Sequence, residues 1–274
     1  MRICHLPKQH SQTVRLLQIT DTHLFADHAG SLLGVNTSAS FNAVVSEISR
    51  KGVEFDAIIA TGDLSQDHTA ESYQRFVDGI AHWDQPCYWL PGNHDYQQEM
   101  NTVLEQSTLE RCDHVYVGEH WQLVMLDSQV AGVPHGRLSD AQLALLESTL
   151  RDNPERNTLV LLHHHPLPAG SAWLDQHKLH NQDEFWAVVA KYDTVKGVVC
   201  GHIHQALDTQ HLDCRVMAAP STCIQFKPDS DDFALDLTNP GWREISLHAD
   251  GTISTTVGRL AGNEFQPDMN SSGY

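Results

Sequence analysis

Positive charge, unbroken apolar runs and closely paired cysteines are all scarce in this chain of 274 residues. Lys and Arg number 17 against 35 Asp and Glu, so the formal net charge is −18. A surface this acidic repels long polyanions, which argues against a nucleic-acid-binding protein. No apolar run approaches the ~18 residues that span a membrane. The apolar fraction of 41% and the charged fraction of 19% are ordinary for a globular protein, which is the class we predict.

The six cysteines include no Cys-x-x-Cys pair. Cys87 and Cys200 lie inside apolar, strand-like runs, where a free cysteine behaves as a small hydrophobic residue. We therefore expect reduced thiols and a cytoplasmic protein. The first thirteen residues carry Arg2 and Lys8 but no continuous apolar stretch, so no signal peptide is predicted.

Strand-like and helix-like segments alternate over the first 200 residues. In the first predicted helix, Phe41, Val44 and Ile48 are spaced to share one face, and Gly52 ends the helix. The alternation predicts a layered α/β domain. The predicted strands are 14–20, 56–61, 86–90, 121–126, 158–162 and 195–200, and the predicted helices are 38–51, 70–83, 96–107, 139–151 and 182–192.

The pattern changes after Gly201. Short strand-like runs follow at 216–218, 233–237, 244–248 and 252–257, and Asp250-Gly251 predicts a hairpin between the last two. These strands are expected to complete a second sheet of the same domain. The whole chain, 1–274, is predicted to be one domain, with a core at about 14–260 and a loose polar tail at about 261–274.

Histidine is abundant, with 19 in the chain, and it is the commonest metal ligand and the usual proton carrier near neutral pH. Many of these histidines fall in polar segments that directly follow predicted strands, where ligands bind in open α/β sheets. A glycine precedes Asp63, Asn93 and His202, which permits tight turns and close backbone approach. The five segments are Asp21-Thr22-His23, Gly62-Asp63, Gly92-Asn93-His94-Asp95, His163-His164-His165-Pro166 and Gly201-His202-Ile203-His204.

The donors in these segments are carboxylates, imidazoles and one amide oxygen. Such a set suits Mn, Fe, Zn or Co rather than a sulfur-ligated structural site. Asp21 and His23 are two residues apart, so on an extended strand they would face the same side. The same holds for His202 and His204. Seven donors are too many for one four-coordinate ion and suit two ions that share a bridging carboxylate, for which Asp63 is the natural choice.

This pattern resembles the calcineurin-like metallophosphoesterase superfamily, whose motifs run Asp-x-His, Gly-Asp, Gly-Asn-His-Asp or -Glu, a His at a strand end, and Gly-His-x-His. Every element is present, and the likeness runs from about Val14 to the C-terminus. It is closer still to the bacterial class III 3′,5′-cyclic-AMP phosphodiesterases. The resemblance implies a four-layer α/β/β/α sandwich of two packed sheets flanked by helices. It is carried by the stretches 17–24, 89–95, 126–130, 201–205 and 221–223.

The resemblance also implies two metal ions per chain, drawn from Fe, Mn, Zn or Co, with Fe and Mn favoured. The family usually has His-His-Pro-Pro at His163-His164-His165-Pro166, so His164 is the alternative to His163 as a ligand. His94 is the implied catalytic residue. The implied ligands of the two ions are Asp21, His23 and His204, and Asn93, His163 and His202, with Asp63 bridging. The implied substrate contacts are His23, Asp63, Asn93, His94 and His204.

The implied reaction is hydrolysis of 3′,5′-cyclic AMP to 5′-AMP, with a hydroxide shared by the two ions as the nucleophile. His94 is expected to protonate the leaving 3′ oxygen, and Asp95 to orient the ring of His94. The acidic surface favours a mononucleotide over a polymer. The expected partner is therefore a small cyclic nucleotide, with no nucleic acid and no membrane, and the chain is expected to be a monomer or homodimer.

Two other functions stay open. One is a phosphoesterase of the same fold that acts on other nucleotide or lipid phosphodiesters, such as 2′,3′-cyclic nucleotides. The other is a scaffold that keeps the fold without catalysis. The role of the segment Pro168–His180, which holds Trp173 and His177, is open too: it is either a lid that stacks on a purine or a loop with a packed Trp.

Overall fold

The computed structural model describes residues 1–6, 12–271 and 273. Residues 7–11, in the stretch predicted to lack a signal peptide, and Ser272 and Tyr274, in the predicted tail, lie outside the described residues. The strands are β1 (Ile3–Leu6), β2 (Val14–Ile19), β3 (Ser31–Leu32), β4 (Val35–Asn36), β5 (Ala57–Ala60), β6 (Cys87–Trp89), β7 (His114–Val117), β8 (Trp121–Met125), β9 (Asn157–Leu161), β10 (Val195–Cys200), β11 (Asp208–His211), β12 (Cys214–Ala218), β13 (Gln225–Phe226), β14 (Leu235–Asp236), β15 (Gly241–Leu247) and β16 (Ile253–Arg259). The helices are α1 (Thr37–Lys51), α2 (Ala70–Ile80), α3 (Gln97–Leu104), α4 (Asp140–Asp152), α5 (Ala172–Asp175) and α6 (Gln182–Val189).

Two large sheets organise the molecule. The seven-stranded sheet has the order β1-β7-β8-β9-β10-β12-β11, and the five-stranded sheet has the order β16-β15-β2-β5-β6. The neighbours β2, β5 and β6 are parallel, and so are β8, β9, β10 and β12. The carboxyl ends of parallel strands lie at one edge of a sheet, so the polar segments that follow these strands are brought to that edge.

Three apolar clusters separate four layers. Between the two sheets, Leu16 and Ile59 of the five-stranded sheet pack with Leu123 and Leu161 of the seven-stranded sheet. A second cluster joins the five-stranded sheet to α1, α2 and α3, and a third joins the seven-stranded sheet to α4 and α6. The layers therefore follow the order helix, sheet, sheet, helix, which confirms the predicted sandwich.

The helix ends follow the signals in the sequence. The Asn36 side chain accepts the Ala39 N–H at the start of α1, and Gly52 ends the helix in the left-handed conformation, with φ 64°. The Ser139 side chain accepts the Gln142 N–H at the start of α4. These caps satisfy backbone groups that a helix leaves unpaired at its ends.

The strands after Gly201 do not complete one second sheet, and that expectation was wrong. β11 and β12 extend the seven-stranded sheet, whereas β15 and β16 extend the five-stranded sheet beside β2. The hairpin at Asp250-Gly251 is confirmed, because β15 and β16 are antiparallel and Gly251 has φ 87°. The tail is not loose over its described part, because Phe265 packs against the core and the Asp268 N–H donates to the Leu33 carbonyl.

The cysteines are not all reduced, which corrects that prediction. Cys4 and Cys112 form a disulfide, while Cys87, Cys200, Cys214 and Cys223 are free and buried. β1 pairs in parallel with β7, with Cys4 opposite Val115, which brings the N-terminal strand beside the segment that leads into β7. The two cysteines are 108 residues apart, so no local spacing in the sequence reveals this pairing. None of the helices in the described part of the chain has the length and apolar composition needed to cross a bilayer.

Candidate metal centre

The five polar segments converge where strands of the two sheets end. Asp21 and Asp63 follow β2 and β5 of the five-stranded sheet, and His163 and His202 follow β9 and β10 of the seven-stranded sheet. Asn93 joins them, since its Oδ1 lies 3.1 Å from the His163 Nε2. Within each of three overlapping groups, the potential donor atoms lie within 4.8 Å of one another: Asp21, His23 and His204; Asp21, Asp63 and His163; and His163, His164 and His202. The structure thus brings all seven predicted ligands together.

Left-handed backbone, rather than strand alternation, orients most of these side chains. β2 ends at Ile19 and β10 at Cys200, so the predicted ligands that follow are not on extended strands as expected. Five of the seven have positive φ, at a cost of about 1–2 kcal/mol for each residue. They are Asp21 (φ 54°), His23 (φ 45°), Asp63 (φ 53°), His202 (φ 69°) and His204 (φ 48°).

The glycine at position 92 makes room for the carboxylate of Asp63. A Cβ on Gly92 would lie 2.1 Å from the Asp63 Oδ1 and 2.5 Å from the Asp63 backbone nitrogen, which is too close for any other residue. Gly62 is constrained by both space and conformation, because its φ is 95° and a Cβ there would lie 2.6 Å from the Gly92 nitrogen. These contacts confirm that the glycines permit close backbone approach.

Two imidazole nitrogens face each other within this cluster. The Nε2 atoms of His23 and His204 lie 3.2 Å apart. The Nδ1 of His204 lies 3.0 Å from the Ile224 carbonyl, and the Nδ1 of His23 lies 2.7 Å from the Gln66 Oε1. Both acceptors place the ring proton on Nδ1, which leaves a lone pair on each Nε2. Facing lone pairs repel each other unless a cation lies between them.

The ring of His163 is anchored in the same way, and its Nε2 faces oxygen atoms. Its Nδ1 donates to the Thr61 carbonyl at 2.7 Å, and its Nε2 lies 3.1 Å from both the Asp63 Oδ2 and the Asn93 Oδ1. One ring nitrogen and two oxygen atoms therefore converge on one point. His202 adds a buried Nε2 without a hydrogen-bond partner among the described residues. A donor set of bare nitrogens, carboxylates and an amide oxygen fits divalent cations of the first transition row.

His164 contacts a hydroxyl group rather than a carboxylate through its Nδ1. Its Nδ1 lies 2.8 Å from the Ser128 hydroxyl, and its Nε2 is buried without a partner in the described part of the chain. Its ring lies 4.8 Å from that of His202, centroid to centroid. The geometry favours His163 as the ligand next to Asp63, with His164 behind it.

Burial and close charges set the ionisation of the cluster. Burial opposes the charge of Asp63, but His163 and His94 outweigh it, and the pKa of Asp63 lies well below its usual value. Burial also opposes the charge of His163, yet Asp63 raises the pKa of that imidazole to about 9. A bound cation would replace the proton that these two groups share. Burial lowers the pKa of His23 to about 3, which keeps that ring neutral and able to bind a metal.

Asp95 connects two loops of the site. Its Oδ1 accepts the N–H groups of Leu64 and Ser65, and its Oδ2 accepts that of Gly92. Three backbone amides bind this carboxylate, and the orientation of His94 by Asp95 stays a prediction. Burial, reinforced by Asp63, raises the pKa of Asp95 to about 7.

His94 lies beside the cluster, at the base of an open cavity. Its backbone N–H donates to the Asp63 Oδ1 at 2.8 Å, and its ring meets that of His23 edge to face at 5.1 Å. Burial lowers its pKa, and Asp63 opposes that shift. The cavity has a volume of about 340 Å³ and is lined at its base by His94, Asn93 and His202.

Two residues that matter here were missed by the sequence reasoning. Gln66 orients His23, and Gln129 donates to the carbonyls of Gly92 and Asp95 and so supports the loop that carries Asn93. Gln129 lies in the stretch 126–130 that carries the resemblance, but the sequence assigns no role to either glutamine. Gln66 is three residues after Asp63, which is the only sequence signal that places it near the site.

A four-layer α/β/β/α sandwich with such an Asp, Asn and His cluster at its strand ends defines the class of metallophosphoesterases. The family model for calcineurin-like phosphoesterases matches residues 14–206. The chain belongs to this family. Calcineurin-like phosphoesterases use a centre of two metal ions, and the clusters described above are able to bind metal.

Similar proteins agree with this assignment. The 3′,5′-cyclic adenosine monophosphate phosphodiesterase CpdA of Vibrio vulnificus is 59% identical over 262 residues, which cover 96% of each chain. The protein of the same name from Escherichia coli K12 is 55% identical and covers 98% of each chain. Among solved structures, a dimetal phosphatase from Danio rerio has a TM-score of 0.63 at 13% identity, covering 88% of this chain and 98% of that one. This last likeness concerns the fold alone.

Proposed function

We propose that this chain is a metal-dependent 3′,5′-cyclic-AMP phosphodiesterase that produces 5′-AMP. Relatives with that activity in their names match it at 54–59% identity over nearly the full length. The observation that carries the proposal is the set of acceptor atoms converging at about 3 Å, above all the facing Nε2 atoms of His23 and His204. A metal cation between these atoms makes the arrangement favourable.

We propose that seven side chains hold two ions, with iron and manganese as the favoured pair. When bound, two divalent cations polarise phosphoryl oxygens and supply hydroxide near neutral pH. Asp63 is proposed as the bridge because both of its oxygens face groups of the site, His94 on one side and His163 on the other. The proposed ligands are Asp21, His23, Asp63, Asn93, His163, His202 and His204.

His94 is proposed to deliver the proton to the departing 3′ oxygen. Its hydrogen bond to Asp63 holds it at the base of the cavity, next to the proposed ligands. The substrate phosphate is an anion, which raises the pKa of a neighbouring imidazole and favours the protonated form. The proposed substrate contacts are His23, Asp63, Asn93, His94 and His204. The net charge of −18 supports a small cyclic nucleotide rather than a polymer as the substrate.

The test is a substrate panel on protein that has been stripped with a chelator and reloaded with Fe, Mn, Zn or Co one at a time. Hydrolysis of 3′,5′-cyclic AMP, 2′,3′-cyclic AMP, 5′-AMP and an aryl phosphodiester is compared. The expected result is the highest kcat/KM for 3′,5′-cyclic AMP, and none of these activities in Asp63→Ala, which should also lose metal. A preference for 2′,3′-cyclic AMP supports the broader phosphodiesterase. A protein that binds no metal and cleaves none of the four is the scaffold.

A further inference from the structure

The cavity over the metal centre has a polar base and walls without charge. Apart from the base, its lining is mostly Val133 and Pro134 on one loop, Trp173 and Leu174 on α5, and Phe226 on β13. No Lys, Arg, Asp or Glu lines it within the described residues. Such walls suit a flat, neutral group rather than a further phosphate or an ammonium headgroup.

The aromatic wall is fixed relative to the metal centre. Trp173 packs edge to face against Phe226 and Phe233, with ring centroids 5.0 and 5.1 Å apart. Phe226 in turn stacks on His204, a proposed ligand, at 4.4 Å and an interplanar angle of 14°. These successive ring contacts fix the position of the aromatic wall relative to the proposed metal ligand His204. The packed Trp expected as one alternative is present, and it also lines the cavity.

Beyond the base, two polar side chains, His68 and His177, also line the cavity, and His177 lies near this wall. Its ring centroid is 6.5 Å from that of His202 and 6.4 Å from that of Trp173. It is half-buried, and its N–H donates to the Leu174 carbonyl, which anchors its backbone. In the part of the chain that the structure describes, no residue forms a hydrogen bond with a ring nitrogen of His177. A neutral imidazole offers one donor and one acceptor, which the edge of a nucleobase can meet.

We propose that the adenine base occupies this cavity between Val133-Pro134 and the Trp173-Phe226 wall, with His177 in contact with its polar edge. This subsite rests on the proposed function, since it assigns the base of the same substrate whose phosphate binds the ions. The apolar walls contact the faces of the purine, and aromatic contact with a base contributes affinity in many nucleotide sites. The subsite selects a cyclic nucleotide over a cyclic phosphodiester that has no base.

The test compares Trp173→Leu and His177→Ala with the wild type. The substrates are 3′,5′-cyclic AMP and the 3′,5′-cyclic phosphate of methyl riboside, which lacks the base. Each variant is expected to raise the KM for cyclic AMP at least about fivefold, with kcat nearly unchanged. The kinetics of the abasic substrate and the metal content should stay as in the wild type. Trp83→Leu and His82→Ala, on another face of the molecule, are the matched controls and should change neither substrate.

Calorimetry with 5′-AMP and ribose 5-phosphate on metal-loaded protein separates the two proposals. The variants should weaken binding of 5′-AMP and leave that of ribose 5-phosphate unchanged, whether or not cyclic AMP is cleaved. Equal losses for both ligands, or no loss for either, overturn the base subsite. A wild type that binds metal and 5′-AMP in the expected way but does not cleave cyclic AMP overturns the proposed function alone.

Discussion

Anchored imidazoles explain how single residues build this site. His163 and His204 each donate from Nδ1 to a backbone carbonyl, and His23 does so to Gln66. The Nδ1 contacts thus fix the ring orientations before any ion binds, and the Nε2 atom of each ring faces the other groups of the site. The residue types could be predicted from the sequence because their order along the chain is distinctive. Gln66 could not, because its role depends on a loop conformation that the sequence does not display.

Replacing His94 with alanine tests the proton donor at this scale. The variant should keep both metal ions, because the proposed ligands remain, and should lose about 10²–10⁴-fold in kcat with 3′,5′-cyclic AMP. Steady-state kinetics and elemental analysis of the same sample measure the two quantities. His82→Ala serves as the control, since it removes an exposed imidazole elsewhere. Full activity in His94→Ala would take this histidine out of the reaction.

At the scale of secondary-structure elements, short connections between strands and helices position the residues of the site. Asp67 is one of the residues that shape them. Its Oδ2 accepts the Ala26 N–H at 2.6 Å, and its Oδ1 accepts both the N–H and the hydroxyl of Thr69, the residue that caps α2. The carboxylate thus joins the loop after β2 to the start of α2. Although burial opposes its charge, these hydrogen bonds lower the pKa of Asp67 below 3.8.

Asp67→Asn should lower the free energy of unfolding by about 1 kcal/mol at pH 7, since it weakens charge-assisted hydrogen bonds. The folded-state pKa of Asp67 is lower than the unfolded value, so its contribution is present above that unfolded value and is lost as the pH falls through the folded one. Urea titrations of metal-free protein between pH 7 and pH 3.5 should show the difference from wild type shrinking below about pH 4. Asp84→Asn, at an exposed position, is the control. A difference that grows towards acid pH would contradict this account.

How well a helix or strand could be predicted depends on how clear its pattern of apolar residues is. Helix α1 and strand β10 have long apolar periodicity, and their bounds were predicted closely. Strand β11, Asp208–His211, is polar and largely exposed, so nothing in its sequence marks it as a strand; it forms because β12 offers an edge for pairing. Strand β14 lies inside the predicted strand 233–237, whereas β13 has two residues, which is too short for any alternation to be read.

Each of the two sheets supplies part of the metal centre. The stability of the whole molecule should therefore depend on whether the centre binds metal. Asp21, His23, Asp63 and Asn93 follow strands of the five-stranded sheet, and the other proposed ligands, His163, His202 and His204, follow strands of the seven-stranded sheet. The sequence predicts two sheets but not their membership, because the pairing of β15 with β2 joins residues more than 200 positions apart. The prediction of a single domain stays a prediction.

Removal of metal should therefore lower thermal stability as well as activity. An ion at about 100 times its dissociation constant contributes about 2.7 kcal/mol to the folded state. For a chain of this size, that corresponds to a fall of about 5–10 °C in the unfolding midpoint. Calorimetry before and after chelation, and after reloading, measures the shift. Asp63→Ala, which should not bind the pair of ions, is expected to show no response to the chelator. A wild type that is equally insensitive would contradict the link between the sheets.

The left-handed turns at five of the metal-facing positions narrow what evolution can place there. Asp, Asn and His are enriched among the side chains that enter this conformation, and they are also the oxygen and nitrogen donors that the centre uses. Glutamate at Asp63 would keep the charge but not the backbone preference, and threonine at His202 would resist the turn through its branched side chain. Two independent demands meet at each of these positions, so substitution there should be rarer than donor chemistry alone requires.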